Sequence, residues 1–212
     1  MTRAIATAAV LMVVLAGCGG DAAPPAQRPT LAAWGELPPN DVGSVNDIYG
    51  EELAALGVRL VRAALVDTTS GGFVYDGEGT HLALYVEPTG EVTLRDYVDR
   101  ILPITEVFAS TLFARWTGLE SFDVCQEPPA AVDDSETPAP VTQVTLWREE
   151  AGGIDWETFN LVDLLTLARQ AHPEDGRPRA LVNTATQLAR FPAYRDAVEE
   201  AERITESGET TS

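Results

Sequence analysis

His81-Leu82-Ala83-Leu84-Tyr85-Val86-Glu87 is the stretch from which the fold can be read. Leu82, Leu84 and Val86 stand two apart, so an extended chain turns all three to one face, and that face needs a second layer to cover it. Pro88 and Gly90 stop the strand. Upstream, Phe73-Val74-Tyr75 and the turn-forming Asp76-Gly77-Glu78-Gly79 predict that this strand is the second arm of a hairpin. The apolar, β-branched run from Leu60 to Val66, followed by Thr68-Thr69-Ser70-Gly71-Gly72, predicts a strand before it. Downstream, Ser121 to Gln126 is a short strand candidate, and Val141 to Arg148 alternates Val144 and Leu146 with polar neighbours.

Between the strands the period changes. Ser44 with Asp47 predicts a helix over about 46–56, with Ile48, Leu53 and Leu56 on one stripe and Gly57 at its end. Thr93 with Asp96 starts another, whose apolar residues run from Leu94 and Tyr97 to Leu112 and Trp116, with Gly118 as a stop. Pro103 predicts a kink or a junction of two helices, because it removes a donor and clashes with the preceding turn. Asp155 is expected to cap a helix carrying Trp156, Phe159, Val162 and Leu165, ended by Pro173. After Leu181, Val182, Ala185 and Leu188 comes a break near Pro192, and Tyr194, Ala197, Val198, Ala201 and Ile204 then share a face.

The whole predicts a single two-layer α+β domain over 34–204, with four or five mostly antiparallel strands and helices on one face. The runs Leu82 to Tyr97 and Val144 to Phe159 repeat an order of strand, Gly turn, cap and helix, which suggests a duplicated strand-strand-helix unit. Residues 128–140 hold four prolines and three acids without apolar period and read as a mobile loop; 205–212 read as a disordered tail.

The N-terminus sets the location. Arg3 precedes an apolar run, Ala4 to Ala16, whose only hydroxyl is Thr7. As a helix it covers roughly 20 Å, short of the ~30 Å hydrocarbon core, so residues 1–17 read as a secretory signal peptide and not as a membrane span. Leu15-Ala16-Gly17-Cys18 at its end resembles the lipobox of bacterial lipoproteins. The resemblance implies a diacylglycerol on the Cys18 thiol, cleavage before Cys18, and a new amino terminus that can itself be acylated. Two acyl chains hold a protein stably where one does not. Residues 18–33, rich in Gly, Ala and Pro, then form a flexible tether with a reach of roughly 20 Å. The expected location is the extracytoplasmic face of the cell membrane, through the lipid anchor.

The chain carries a formal charge of -19, and its 14 basic residues are all Arg. Absence of Lys beside abundant Ala, Gly and Val suggests a GC-rich genome. Such acidity repels nucleic acid and anionic headgroups, so the expected partner is an envelope protein or a small ligand, and no nucleic acid.

Few residues offer chemistry. If Cys18 carries lipid, Cys125 is a lone thiol, and with His81 as base and Asp123 or Glu127 as orienting carboxylate it could perform thiol acyl transfer or hydrolysis. Its place in a strand favours a buried core cysteine instead. His172, before Pro173, reads as a helix cap. Neither His-x-x-x-His, Cys-x-x-Cys nor a calcium loop occurs, and no metal or cofactor is expected. Asp76 to Gly79 reads as a turn rather than a cation site, and Gly71-Gly72 and Gly152-Gly153 match no phosphate loop. Glu106, Glu149, Glu150 and Glu157 read as a solvated acidic face, and Trp34, Trp116, Trp147 and Trp156 mostly as packing. Three functions follow from this reading: first a lipid-anchored binding or accessory module, then an envelope enzyme built on Cys125 and His81 or on acidic residues, and last a structural spacer, which predicts no pocket larger than a few waters.

Overall fold

A computed structural model describes residues 33–69, 72–74, 79–128, 141–173, 176, 179–182 and 192–208. Residues 1–32, read above as signal peptide and tether, residues 129–140 of the expected mobile loop and most of the expected turn at 76–79 lie outside these. The strands are β1 (Val58–Thr69), β2 (Gly72–Val74), β3 (His81–Pro88), β4 (Ser121–Gln126), β5 (Thr142–Trp147) and β6 (Ala180–Val182), paired in the order β2-β1-β3-β4-β5-β6. Every pairing is antiparallel except β3 with β4, which run parallel from His81 opposite Ser121 to Val86 opposite Gln126. Four longer strands make the sheet, and three-residue strands extend it. The fold is the two-layer α+β class that the alternation implies.

One face of the sheet makes the main core. Leu82, Leu84 and Val86 of β3, Phe122 and Val124 of β4 and Val144 and Leu146 of β5 are all fully buried in one cluster with helix residues. In β1 the alternation breaks at a bulge between Leu60 and Arg62, leaving Val61 unpaired and exposed. Leu60 therefore faces the core before the bulge and Ala63 and Leu65 after it, a slip that a strict period of two does not show.

The helices of this layer are α1 (Val42–Ala55), α2 (Leu94–Val98), α3 (Ile101–Ala109), α4 (Leu112–Arg115), α5 (Arg148–Gly153), α6 (Leu161–Arg169) and α7 (Pro192–Ser207). From α1 come Val45, Tyr49 and Leu53, from α3 Ile101, Ile104 and Phe108, and from α6 Leu164. Rings stack through the centre: Tyr49 on Phe108 at 4.9 Å between centroids, and Phe113 on Phe122 at 5.6 Å. A buried polar brace closes one end. Gln126 Nε2 donates to the Tyr97 carbonyl at 2.6 Å, Tyr97 Oη donates to the Val86 carbonyl at 2.7 Å, and the Thr142 hydroxyl donates to Gln126 Oε1.

Several boundaries differ from the sequence reading. Helix α1 begins at Val42, because Asp41, not Ser44, is the cap and accepts from the Ser44 amide at 2.8 Å. The break after Thr93 comes at Asp99–Arg100 rather than at Pro103, which occupies the first turn of α3, where its missing donor costs nothing. Asp155 starts only a turn, accepting at its carbonyl from Thr158 and Phe159; the helix cap is Asn160, with a complete capping box to Asp163. Helix α5 stands where the sequence pattern predicts no helix. The tail is helical through Ser207, so the domain runs past 204.

The hairpin also differs. β2 pairs with β1, Thr69 opposite Gly72, and β3 pairs with β1 as well, Val66 opposite His81. Only two residues separate Thr69 from Gly72, the shortest hairpin connection, and it wins over the Asp76–Gly79 turn.

The suggested duplication fails on topology. Each half is an antiparallel pair followed by helices, but the halves meet across the parallel β3–β4 joint. Superposing one pair on the other then requires a rotation that turns the sheet over, which would send the second set of helices to the opposite face. Both sets pack in the same core.

The chain enters the domain along a short ladder. Trp34 N donates to the Arg115 carbonyl at 2.7 Å, Thr117 N to that of Gly35 at 3.1 Å and Gly118 N to that of Glu36 at 2.7 Å. Gly118 is required for this approach, since a Cβ there would lie 2.6 Å from Glu36 Cγ.

Candidate functional site

The face of the sheet opposite the main core carries the residues singled out for catalysis. His81, Ala83 and Tyr85 of β3 lie beside Ser121, Asp123 and Cys125 of β4, all at most 6% exposed. His81 Nδ1 is 2.8 Å from Ser121 Oγ, and its Nε2 is 3.6 Å from Asp123 Oδ2. Gln143 Nε2 donates to the same Asp123 oxygen at 2.7 Å. His81 and Asp123 are thus brought together as the sequence suggested, but Cys125 is not. It stands opposite Tyr85, four residues along from Ser121, which places it about 13 Å from the register position of His81.

Burial pushes the Cys125 thiol well above its ordinary range, and the charges of Asp123 and Glu127 add to the shift. A protonated, buried thiol is a poor nucleophile. Glu127 is itself raised, first by burial, and faces Arg62 at 3.9 Å rather than His81. Ser121, His81 and Asp123 have the composition of a hydrolytic triad, yet Ser and Asp sit on the wrong ring nitrogens for the usual order, the 3.6 Å contact exceeds a hydrogen bond, and a substrate would have to reach groups that are 0–3% exposed. In the folded protein a thiol reagent is expected to modify Cys125 only slowly, and rapidly once denaturant is added; fast labelling of the native protein would contradict this burial.

A concave site lies elsewhere, beside α5 and α6. Strand β5 passes directly into α5 at Arg148, and that junction is clamped. The Arg148 guanidinium donates to the carbonyls of Phe113 (2.7 Å), Trp116 (2.6 Å) and Leu119 (2.9 and 2.7 Å). Ala151 packs into the core. With both ends of the turn fixed, Glu149 and Glu150 project beside a cavity of about 280 Å³, further lined by Asp155, Phe159, Asp163 and Arg179. Trp156 stacks edge-on against Phe159 at 5.5 Å and supports the apolar wall. Past α6, Arg179 returns the chain to the site by donating its backbone N and its Nη1 to Gln170, each at 3.0 Å.

Here the expectations for Glu150 and His172 are overturned. Glu150 is 4% exposed, so it is no part of a solvated face, because α5 turns it inward beside Ala151. Glu106, Glu149 and Glu157 are exposed. His172 does not cap α6, which ends at Arg169; its Nε2 lies 3.1 Å from Glu149 Oε2. The donor atoms of Glu149, Glu150 and His172 all fall within 4.8 Å of one another. Nothing local could have announced this, since 23 residues separate Glu149 from His172. Of the tryptophans, Trp116 is buried, Trp147 and Trp156 are half-buried, and Trp34 is 57% exposed, with Arg115 over its ring.

No family model matches the chain, and neither a curated protein nor a solved structure matches it.

Proposed function

We propose that this protein is a lipid-anchored binding module of the bacterial cell envelope, held at the extracytoplasmic face of the membrane through Cys18 and taking a small ligand in the cavity between α5 and α6. The observation that carries the reading is the cysteine directly after Leu15-Ala16-Gly17, at the point where the apolar run ends. It is supported by the acidity of the chain, which disfavours nucleic acid and anionic lipid surfaces as partners, and by a cavity whose carboxylates suit a cationic ligand. Among the described residues no helix is long and apolar enough to cross a membrane. The enzymatic alternative through Cys125 and His81 gains no support from their separation along β3 and β4.

The test is fractionation of the producing cells. Cys18→Ser removes the acceptor sulfur, and the protein is expected to leave the membrane pellet for the soluble or secreted fraction. The unaltered protein, extracted in detergent, is expected to show an intact mass raised by a diacylglycerol. Unchanged pelleting of the variant would end the anchor reading.

A further inference from the structure

The geometry points to a divalent transition-metal site of the zinc type, formed by Glu149, Glu150 and His172 at the edge of the α5–α6 cavity. The inference rests on the reading of that cavity as a ligand site and names the ligand. Three observations converge on it. The first is the donor set: one imidazole nitrogen and two carboxylates, with no thiolate. Zinc and its neighbours accept this mixture, whereas calcium and magnesium prefer oxygen alone.

The second is spacing. Two ligand atoms about 2.0–2.1 Å from a tetrahedral ion lie roughly 3.4 Å from each other. His172 Nε2 and Glu149 Oε2 are already 3.1 Å apart, and the spread over all three donors is no more than 4.8 Å. Glu149 is the exposed member, with a side chain 69% accessible, so its carboxylate can adjust to an ion without moving the backbone. The third is burial. Glu150, which lines the cavity together with Glu149, is 96% removed from solvent. A cation offsets the cost of gathering carboxylates in a partly dry site.

Three protein donors leave a tetrahedral ion one further position. Glu149 and Glu150 line a cavity of about 280 Å³, from which water or a donor atom of a small molecule can fill that position, as at metal sites that exchange a ligand rather than closed structural ones.

The experiment uses the full chain without a polyhistidine tag, extracted in detergent with its anchor and stripped by a chelator. Zinc is titrated against a chromophoric competitor, and stoichiometry is read by native mass spectrometry. One zinc per chain is expected. His172→Ala and Glu149→Gln should each weaken binding by at least roughly tenfold, the scale of losing a contact that orients or donates to a metal. Asp155→Asn, a cavity carboxylate outside the donor set, should change it by less than about threefold. Circular dichroism of each variant separates loss of the site from loss of the fold; Glu149 is exposed, so Glu149→Gln remains a valid test if another variant unfolds.

The inference is overturned if the native chain binds no zinc, if His172→Ala and Glu149→Gln bind as the native chain does, or if calcium binds as tightly as zinc. Cys18→Ser should keep the zinc site, which excludes an unlipidated Cys18 as the ligand. The outcomes also stand apart from the anchor: zinc binding with unchanged pelleting of Cys18→Ser removes the anchor alone, and release without zinc binding removes the metal alone.

Discussion

Replacing Arg148 by methionine is expected to lower the stability of the domain by about 3 kcal/mol, although the side chain is only part-buried and makes no described ion pair. Its guanidinium serves three carbonyls at the end of α4 and in the turn after it, those of Phe113, Trp116 and Leu119. The last carbonyls of a helix have no partners within it, and a cation there is favoured by the helix dipole as well. Methionine keeps much of the apolar stem and removes every donor, together with the guanidinium that lies over the Phe113 ring at 5.0 Å from its centroid. Hydrogen bonds from a charged donor are worth about 1.5–3 kcal/mol each but are not additive, hence an effect well below their sum. For a chain of this size the melting temperature should fall by roughly 6–12 °C. Lysine, with one compact ammonium in place of a planar fork, should recover less than about half of the loss. A loss under about 1 kcal/mol for Arg148→Met would show that water replaces the guanidinium without cost. The same variant should weaken zinc binding, because Arg148 fixes the start of the turn that presents Glu149 and Glu150.

The larger effect belongs to Phe122. Its ring is fully buried at the centre of the sheet and touches Phe113 at 5.6 Å and Phe108 at 6.5 Å between centroids. Neighbours on β3 and β5, Leu82 and Leu146, are held by their own strand pairings and cannot collapse into the space. Phe122→Ala is therefore expected to cost about 3–5 kcal/mol in urea denaturation, and Phe122→Leu, which keeps most of the volume, under about 2 kcal/mol. Equal costs for the two would mean that the ring is not packed as described.

How far the fold could be read from residues alone depended on where the decisive interactions lie. β4 was legible to the residue, Ser121 to Gln126, because its apolar positions alternate between clear stops. β5 was legible through Val144 and Leu146. Helix α5 was not, since Arg-Glu-Glu-Ala-Gly-Gly has no apolar period and two poor helix formers; what holds it is the Arg148 clamp to a segment some thirty residues upstream. Asp155 and Asn160 are both good caps, and local rules do not choose between them. Asn160 prevails because Asp163 completes its box and Leu164 then falls into the core. Strand order and the parallel β3–β4 joint are matters of register between distant segments, which composition does not encode. The candidate site follows the same rule: Cys125 and His81 were visible as residue types but lie apart, and Glu149 and His172 were read separately although the fold joins them.

The ladder from Trp34 to Gly118 has a mechanical corollary. A protein held through Cys18, as proposed, meets any drag from its surroundings first at the place where its N-terminal segment joins the domain. Here that place is four backbone bonds between residues 34–36 and 115–118, with the Trp34 ring set edge-on against Trp116 at 5.7 Å. Tension is passed to the joint between α4 and β4, beside the centre of the sheet, before it can unwind the first turn of α1.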